Sequence, residues 1–297
     1  MRTLAKIVFA VLLAVPSFAG QKKATTLTFR TNDDGLVIVP VVLGGAIQAD
    51  VFLDTGAGLD GLAPSVVEKL HGKPAGVFTA FRMGGERLDL PLFIIPELKV
   101  GPVVKRNALV STWAVFDQWH FGGVISMNDF RQQPFTFDFP NKQIIFETSR
   151  TLRDRLKSGA VIPLKFDDQR GIALDLFPEV LIGSQAGQCE MDTGSPDSTF
   201  STRYMEPLGL SKDSKDITKR VSKNLAGVPT TAYITTVPQI ALAADPNIRQ
   251  LQPRVEFSDM IYDCLLGIDF WSGRELTVDI PNKRLIVSKT GLTQQHK

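Results

Sequence analysis

Hydrophobic positions along the chain fall in short runs broken by turn residues. The clearest are residues 36–43 (Leu-Val-Ile-Val-Pro-Val-Val-Leu), 144–146 (Ile-Ile-Phe) and 285–287 (Leu-Ile-Val), each bounded by Gly, Asn-Asp or Pro-Asn-Lys. Runs of this length, rich in β-branched residues and flanked by turn formers, predict strands. Helical periodicity is scarce. It is expected over residues 64–70, where Pro64 suits a first helical position, and over 152–157. The first nineteen residues have a different pattern: Arg2 and Lys6, then nine apolar residues from Ile7 to Val15, then small residues at Ser17 and Ala19. This is the layout of a cleavable export signal over residues 1–19. The apolar run is well short of the ~20 residues that span a bilayer. A secreted or periplasmic location is expected, with no stable membrane span in the mature chain.

The chain also repeats. Residues 135–142 (Phe-Thr-Phe-Asp-Phe-Pro-Asn-Lys) return as 276–283 (Leu-Thr-Val-Asp-Ile-Pro-Asn-Lys). Residues 95–100 resemble 237–242, and Asp54-Thr55-Gly56 returns as Asp192-Thr193-Gly194. Three matches in the same order at nearly one offset indicate a duplicated unit far longer than any solenoid repeat. The reading is two related lobes, residues 25–149 and 160–290. The charged stretch 150–159 is taken as the linker between them.

Composition narrows the function classes. The 297 residues are 43% hydrophobic and 22% charged, with 33 basic and 31 acidic side chains. Without Arg2 and Lys6 the balance is zero, which disfavours a nucleic-acid binder working by phosphate neutralisation. His71, His120 and His296 form no His-Glu-x-x-His helix, and no metal or cofactor is expected. Gly-x-Ser-x-Gly, Walker A and Gly-x-Gly-x-x-Gly signatures are absent. Asp33-Asp34 and Asp167-Asp168 read as turn formers, and Trp113 and Trp119 as core or cleft lining. Cys189 and Cys264, in an exported chain, leave open one disulfide or two buried thiols.

The duplicated triplet carries the chemistry. Each Asp-Thr-Gly follows a strand, cleanly apolar as Val51-Phe52-Leu53 in the first copy and less so as Cys189-Glu190-Met191 in the second. Two-fold packing of the copies would bring Asp54 and Asp192 face to face. Carboxylates so close share one proton, which provides a base and an acid around a common water.

This arrangement resembles the aspartic peptidases, specifically bacterial retropepsin-like or pepsin-like members with both halves in one secreted chain. Ala57 and Ser195 continue the two motifs as that pattern expects. The resemblance covers residues 25–290 and implies an all-β acid-protease fold of two β-barrel-like lobes with pseudo-two-fold symmetry. It implies Asp54 and Asp192 as the catalytic pair, hydroxyl cross-links from Thr55 and Thr193, and turns completed by Gly56 and Gly194. The family's supporting apolar-apolar-Gly segment is Leu265-Leu266-Gly267 in the second copy. In the first copy, Val124-Ile125-Ser126 puts serine where the family has glycine. Ser126 is therefore expected to loosen or displace the Asp54 loop, with Gly122-Gly123 as candidate compensation. A flexible hairpin over the cleft is expected at Gly84-Gly85, with a counterpart at Ala226-Gly227-Val228. No equivalent of the flap tyrosine stands out, since Tyr204, Tyr233 and Tyr262 all lie in the second copy. The resemblance also sets the strands before Asp192 and Gly267 side by side, which favours a Cys189–Cys264 bridge.

The implied activity is hydrolysis of an extended peptide or protein by an exported endopeptidase with an acidic optimum, for which a monomer suffices. Ser126 and the missing tyrosine motivate an alternative, a catalytically inactive peptide-binding or structural envelope protein of the same fold.

Overall fold

Alternation between core and surface sets the strands. Along Ile47–Leu53, Gln48 and Asp50 are exposed while Val51 and Leu53 are fully buried. In Val37–Leu43 the one exposed residue is Pro40, which has no N–H to contribute to the sheet. The structure is a computed structural model that describes residues 23–223 and 227–289 and the backbone of 293–295. The expected export signal (residues 1–19), Ala226 and His296 lie outside the described residues. Among the described residues no helix is long and apolar enough to cross a membrane.

The first lobe is a closed barrel. Val37–Leu43 pairs with Ile47–Leu53, which runs parallel to Gly123–Ile125. Gly123–Ile125 pairs with Gly61–Leu62, and the circuit continues through Val103–Thr112 to Arg87–Val100. Leu43 opposite Leu98 closes it. The second lobe follows the same order: Ala173–Ile182, Gln185–Met191, Cys264–Leu266, Thr199–Ser201, Arg254–Ser258 and Pro229–Thr236. Its counterpart of the long strand Arg87–Val100 is broken at Val237-Pro238 into Pro229–Thr236 and Gln239–Leu242, and the latter pairs back onto Ala173–Ile182. All-β and two-lobed is the observed fold.

A six-stranded sheet joins the lobes, in the order Thr25–Thr28, Gln143–Phe146, Phe135–Asp138, Glu275–Asp279, Arg284–Ser288, Gly159–Gln169. At its centre the two copies of the repeated segment run antiparallel, with Thr136 opposite Thr277. Their hydroxyls are 2.7 Å apart, although the residues are 141 positions apart in sequence. Equivalent residues can meet one another only on a two-fold axis, so this pair marks the pseudo-dyad.

Residues 150–159, read as linker, form most of the helix Ser149–Ser158 and the first residue of the strand Gly159–Gln169. No residue of the helix is buried. A capping box between Thr148 and Thr151 starts it. Arg155 anchors it to Glu147 (3.2 Å) of the first lobe and Glu275 (2.7 Å) of the second. The other expected helix is observed as Pro64–Lys69.

Cys189 and Cys264 are direct register partners on parallel strands and are joined by a disulfide. The bridge closes a loop 75 positions long, worth about 4 kcal/mol on the chain-entropy account. Both cysteines stand three residues before the turns that form the site.

Candidate active site

Two strand-to-turn transitions meet at the pseudo-dyad. Ile47–Leu53 delivers Asp54-Thr55-Gly56, and Gln185–Met191 delivers Asp192-Thr193-Gly194. The backbone N–H of Asp54 donates to the Ile125 carbonyl and that of Asp192 to the Leu266 carbonyl, both at 3.0 Å. The neighbouring strand thus extends each loop's support to the aspartate itself.

Four reciprocal hydrogen bonds lock the loops together. Thr55 Oγ1 donates to the Met191 carbonyl (2.5 Å) and Thr193 Oγ1 to the Leu53 carbonyl (2.9 Å). Each hydroxyl also accepts from the partner threonine's backbone N–H, at 3.0 Å from Thr193 and 3.1 Å from Thr55. Both threonines are fully buried, and each hydroxyl both donates and accepts.

These bonds set the two carboxylates close to one another across the pseudo-dyad, near enough for the charge of Asp54 to act on Asp192. Gly56 N–H donates to Asp54 Oδ1 (2.8 Å) and Gly194 N–H to Asp192 Oδ1 (2.9 Å). The glycines are required by proximity. A Cβ on Gly56 would lie 2.9 Å from Asp192 Cγ. One on Gly194 would lie 2.7 Å from Asp54 Oδ1 and closer still to its other carboxylate atoms.

Desolvation raises the Asp54 carboxyl above its ordinary value. Asp192 is pushed well above it, first by desolvation and then by the charge of Asp54. A pair in this state holds one proton between two carboxylates over a range displaced upward from that of an ordinary carboxylate.

Ser126 neither loosens nor displaces the Asp54 loop. In the second lobe a Cβ on Gly267 would lie 2.6 Å from backbone atoms of Asp197, so glycine is needed there. The Gly267 N–H donates to Ser198 Oγ (3.1 Å), which in turn donates to Asp269. In the first lobe Asp60 occupies the place of Ser198 and accepts from both Ser126 N–H (2.8 Å) and Ser126 Oγ (2.9 Å). Exchanging glycine and serine for serine and aspartate keeps the contact and turns the extra hydroxyl into a brace. Gly122 and Gly123 serve strand packing instead: a Cβ on Gly123 would collide with Leu62 Cα at 2.8 Å.

The hairpin of Lys73–Phe81 and Arg87–Val100 carries Gly84-Gly85 at its tip. Gly85 has φ +86°, a left-handed conformation that glycine adopts without strain. The tip reaches the second lobe, where Ile261 N–H donates to the Met83 carbonyl (2.9 Å). At the base of the tip, the Arg82 guanidinium lies over the Trp113 ring, 5.1 Å from its centroid. Gly227 instead sits in open space at an exposed hairpin end. Trp119, expected in core or cleft, is 48% exposed.

Two acids that the motifs do not contain stand beside the dyad. Glu190 immediately precedes Met191-Asp192, and Asp175 lies on the adjacent strand Ala173–Ile182. Burial, then the charges of Asp167 and Asp54, raises Asp175 to about 7. Burial, then Asp175 and Asp192, pushes Glu190 well above its ordinary value. The only trace in the sequence is the charge at Glu190, which interrupts the strand motif that is wholly apolar in the first copy. Asp167 lies directly opposite Asp175 within the strand Gly159–Gln169 and is a strand residue, whereas Asp168 pairs with Arg131 (2.7 Å) and accepts from Gly171 N–H (2.9 Å), capping the turn that follows the strand. Asp33-Asp34 does form a turn, with Asp34 N–H donating to Asn32 Oδ1. Among the described residues no three potential ligands gather to hold a metal.

Raised acids couple stability to pH. Unfolded Asp175 loses its proton near 3.8 and the folded residue near 7, so the folded state holds more protons between those values. This contribution is fully present below 3.8 and is lost as pH rises through 7. Urea unfolding is expected to show a higher midpoint at pH 4 than at pH 7.5, with the difference reduced in Asp175→Asn; equal slopes in both proteins would count against it.

No family model and no curated protein matches the sequence. Similar solved structures include conglutin gamma, a basic 7S globulin from lupine seeds, at 11% identity and TM-score 0.50, covering 91% of this chain and 96% of that one. They also include the basic 7S globulin from soybean, at 15% identity and TM-score 0.52, covering 91% and 97%. The likeness spans both lobes and supports a two-lobed, pepsin-like, all-β fold; at these identities it shows the fold alone.

Proposed function

We propose that the chain is an exported aspartic endopeptidase. The observation that carries this reading is the facing pair Asp54 and Asp192, set on two loops held by four reciprocal threonine bonds. A water between the carboxylates loses a proton to the ionised aspartate as it attacks the peptide carbonyl, while the protonated aspartate donates to the carbonyl oxygen. The tetrahedral intermediate then collapses with proton delivery to the leaving amine, and no covalent enzyme intermediate forms. An extended peptide lies in the cleft beneath the Gly84-Gly85 hairpin, held partly by strand-like backbone bonds.

A second reading, a non-catalytic binding or structural protein of this fold, is favoured by the similar structures, whose names are those of seed globulins. The pH–rate profile separates the two. Turnover requires the singly protonated pair, so kcat/KM rises through the lower apparent pKa and falls as the second proton leaves. Both shifts are upward, which places this window above that of an isolated carboxylate. A bell-shaped profile supports the peptidase; a folded chain that cleaves no peptide from about pH 3 to 8 supports the second reading.

A further inference from the structure

The strand that delivers Asp192 carries an acid where its first-lobe counterpart carries a phenyl ring. Cys189 and Met191 point into the second-lobe core, so alternation turns Glu190 to the opposite face, the one that carries the Asp192 side chain. The matching first-lobe residue, Phe52, stacks on Phe121 with ring centroids 4.3 Å apart. On Ala173–Ile182, Leu174 and Leu176 are core, which sets Asp175 and Phe177 on the other face. Leu174 N–H donates to the Gly58 carbonyl of the first aspartate loop (2.9 Å), and a Cβ on Gly58 would lie 3.0 Å from Asp175 Oδ1. Glu190 and Asp175 therefore line the second-lobe wall of the cleft directly beside the dyad.

Glu190 is 5% exposed and Asp175 6%. Among the described residues neither carboxylate forms a hydrogen bond or ion pair with another side chain, and the charges acting on them are those of other acids, Asp167, Asp54 and Asp192. Burial without a counter-charge keeps such carboxyls protonated, and a cation brought between them favours their ionised forms. The walls suit an organic cation. Phe177 and Tyr262 meet edge to face at 5.6 Å, and aromatic rings of this kind receive an alkyl stem or a guanidinium plane.

We propose that Glu190 and Asp175 form a subsite adjoining the scissile bond that takes the cationic side chain of an arginine or lysine of the peptide; this rests on the peptidase reading. The cleft then has one apolar wall, at Phe52 and Phe121, and one acidic wall, at Glu190 and Asp175. Its preferred substrates carry an apolar residue on one side of the cut and a basic residue on the other.

The purified chain is tested on paired peptides that differ only in arginine or leucine next to the cut. The kcat/KM ratio is expected to favour arginine by about tenfold or more, and Glu190→Gln with Asp175→Asn to reduce that ratio at least tenfold. A wild type with no basic preference, or a preference that survives both substitutions, overturns the proposal while leaving the peptidase intact. If no peptide is cut, the peptidase reading fails by itself, and binding to Asp54→Asn protein settles the subsite. Fluorescence polarisation should then show an arginine peptide binding about tenfold tighter than its citrulline counterpart, and equal affinities overturn the proposal. Circular dichroism of each variant establishes that it is folded, and Glu190→Gln alone serves where the double variant is not.

Discussion

Adding one methyl group at position 194 is expected to lower kcat/KM by about 100-fold with little change in fold. Its Cβ would fall on the Asp54 carboxylate, with Oδ1 at 2.7 Å and the remaining atoms closer. Asp54 cannot simply swing aside, because its Oδ1 accepts from Gly56 N–H (2.8 Å). The methyl therefore separates the two carboxylates by a fraction of an ångström or rotates one of them. Misplacement on that scale is costly for a reaction that needs both groups on a single water. Gly194→Ala should retain the wild-type circular dichroism spectrum, since the threonine bonds around it do not involve its side chain. Equal activity of Gly194→Ala and wild type would mean that the carboxylates do not act as a pair.

Substituting either aspartate is expected to have the larger effect. Asp54→Asn removes a group that must alternate between base and acid, and Asp192→Asn removes its partner; each should lower kcat by at least about 10³-fold. The double variant should be no worse than either single one, because the two residues act as one unit. The asparagine variants should be at least as stable as wild type, because each removes a carboxyl whose ionisation is disfavoured by burial. Multiplicative losses in the double variant, read from single-turnover rates, would show two independent contributions.

Much of this architecture is legible in the sequence because duplication repeats its signals. Asp54 and Asp192 stand out because the same triplet occurs at equivalent places in two copies. Residues 135–142 and 276–283 announce the symmetry, and their hydroxyl pair, Thr136 and Thr277, lies on its axis. What stays hidden depends on partners distant in sequence. The brace between Asp60 and Ser126 joins positions 66 apart, so Ser126 alone reads as a defect. The helix Ser149–Ser158 is legible only over residues 152–157; its start comes from the Thr148–Thr151 box and its anchorage from Arg155, which pairs with residues of both lobes. Glu190 and Asp175 belong to no motif, and only the adjacency of their strands brings them to one wall. Trp119 lies at the surface because the short helix Val115–Gln118 already buries Phe116 in its place.

The central claim is that two aspartates from the two lobes activate one water, and the appearance of new peptide termini tests it most directly. Wild type, Asp54→Asn and Asp192→Asn are incubated with a defined peptide mixture from about pH 3 to pH 8, and the products are sequenced by mass spectrometry. New termini with wild type alone, strongest on the acidic side, are the expected result. Termini produced equally by a folded Asp54→Asn or Asp192→Asn protein, or by none of the three, would contradict it.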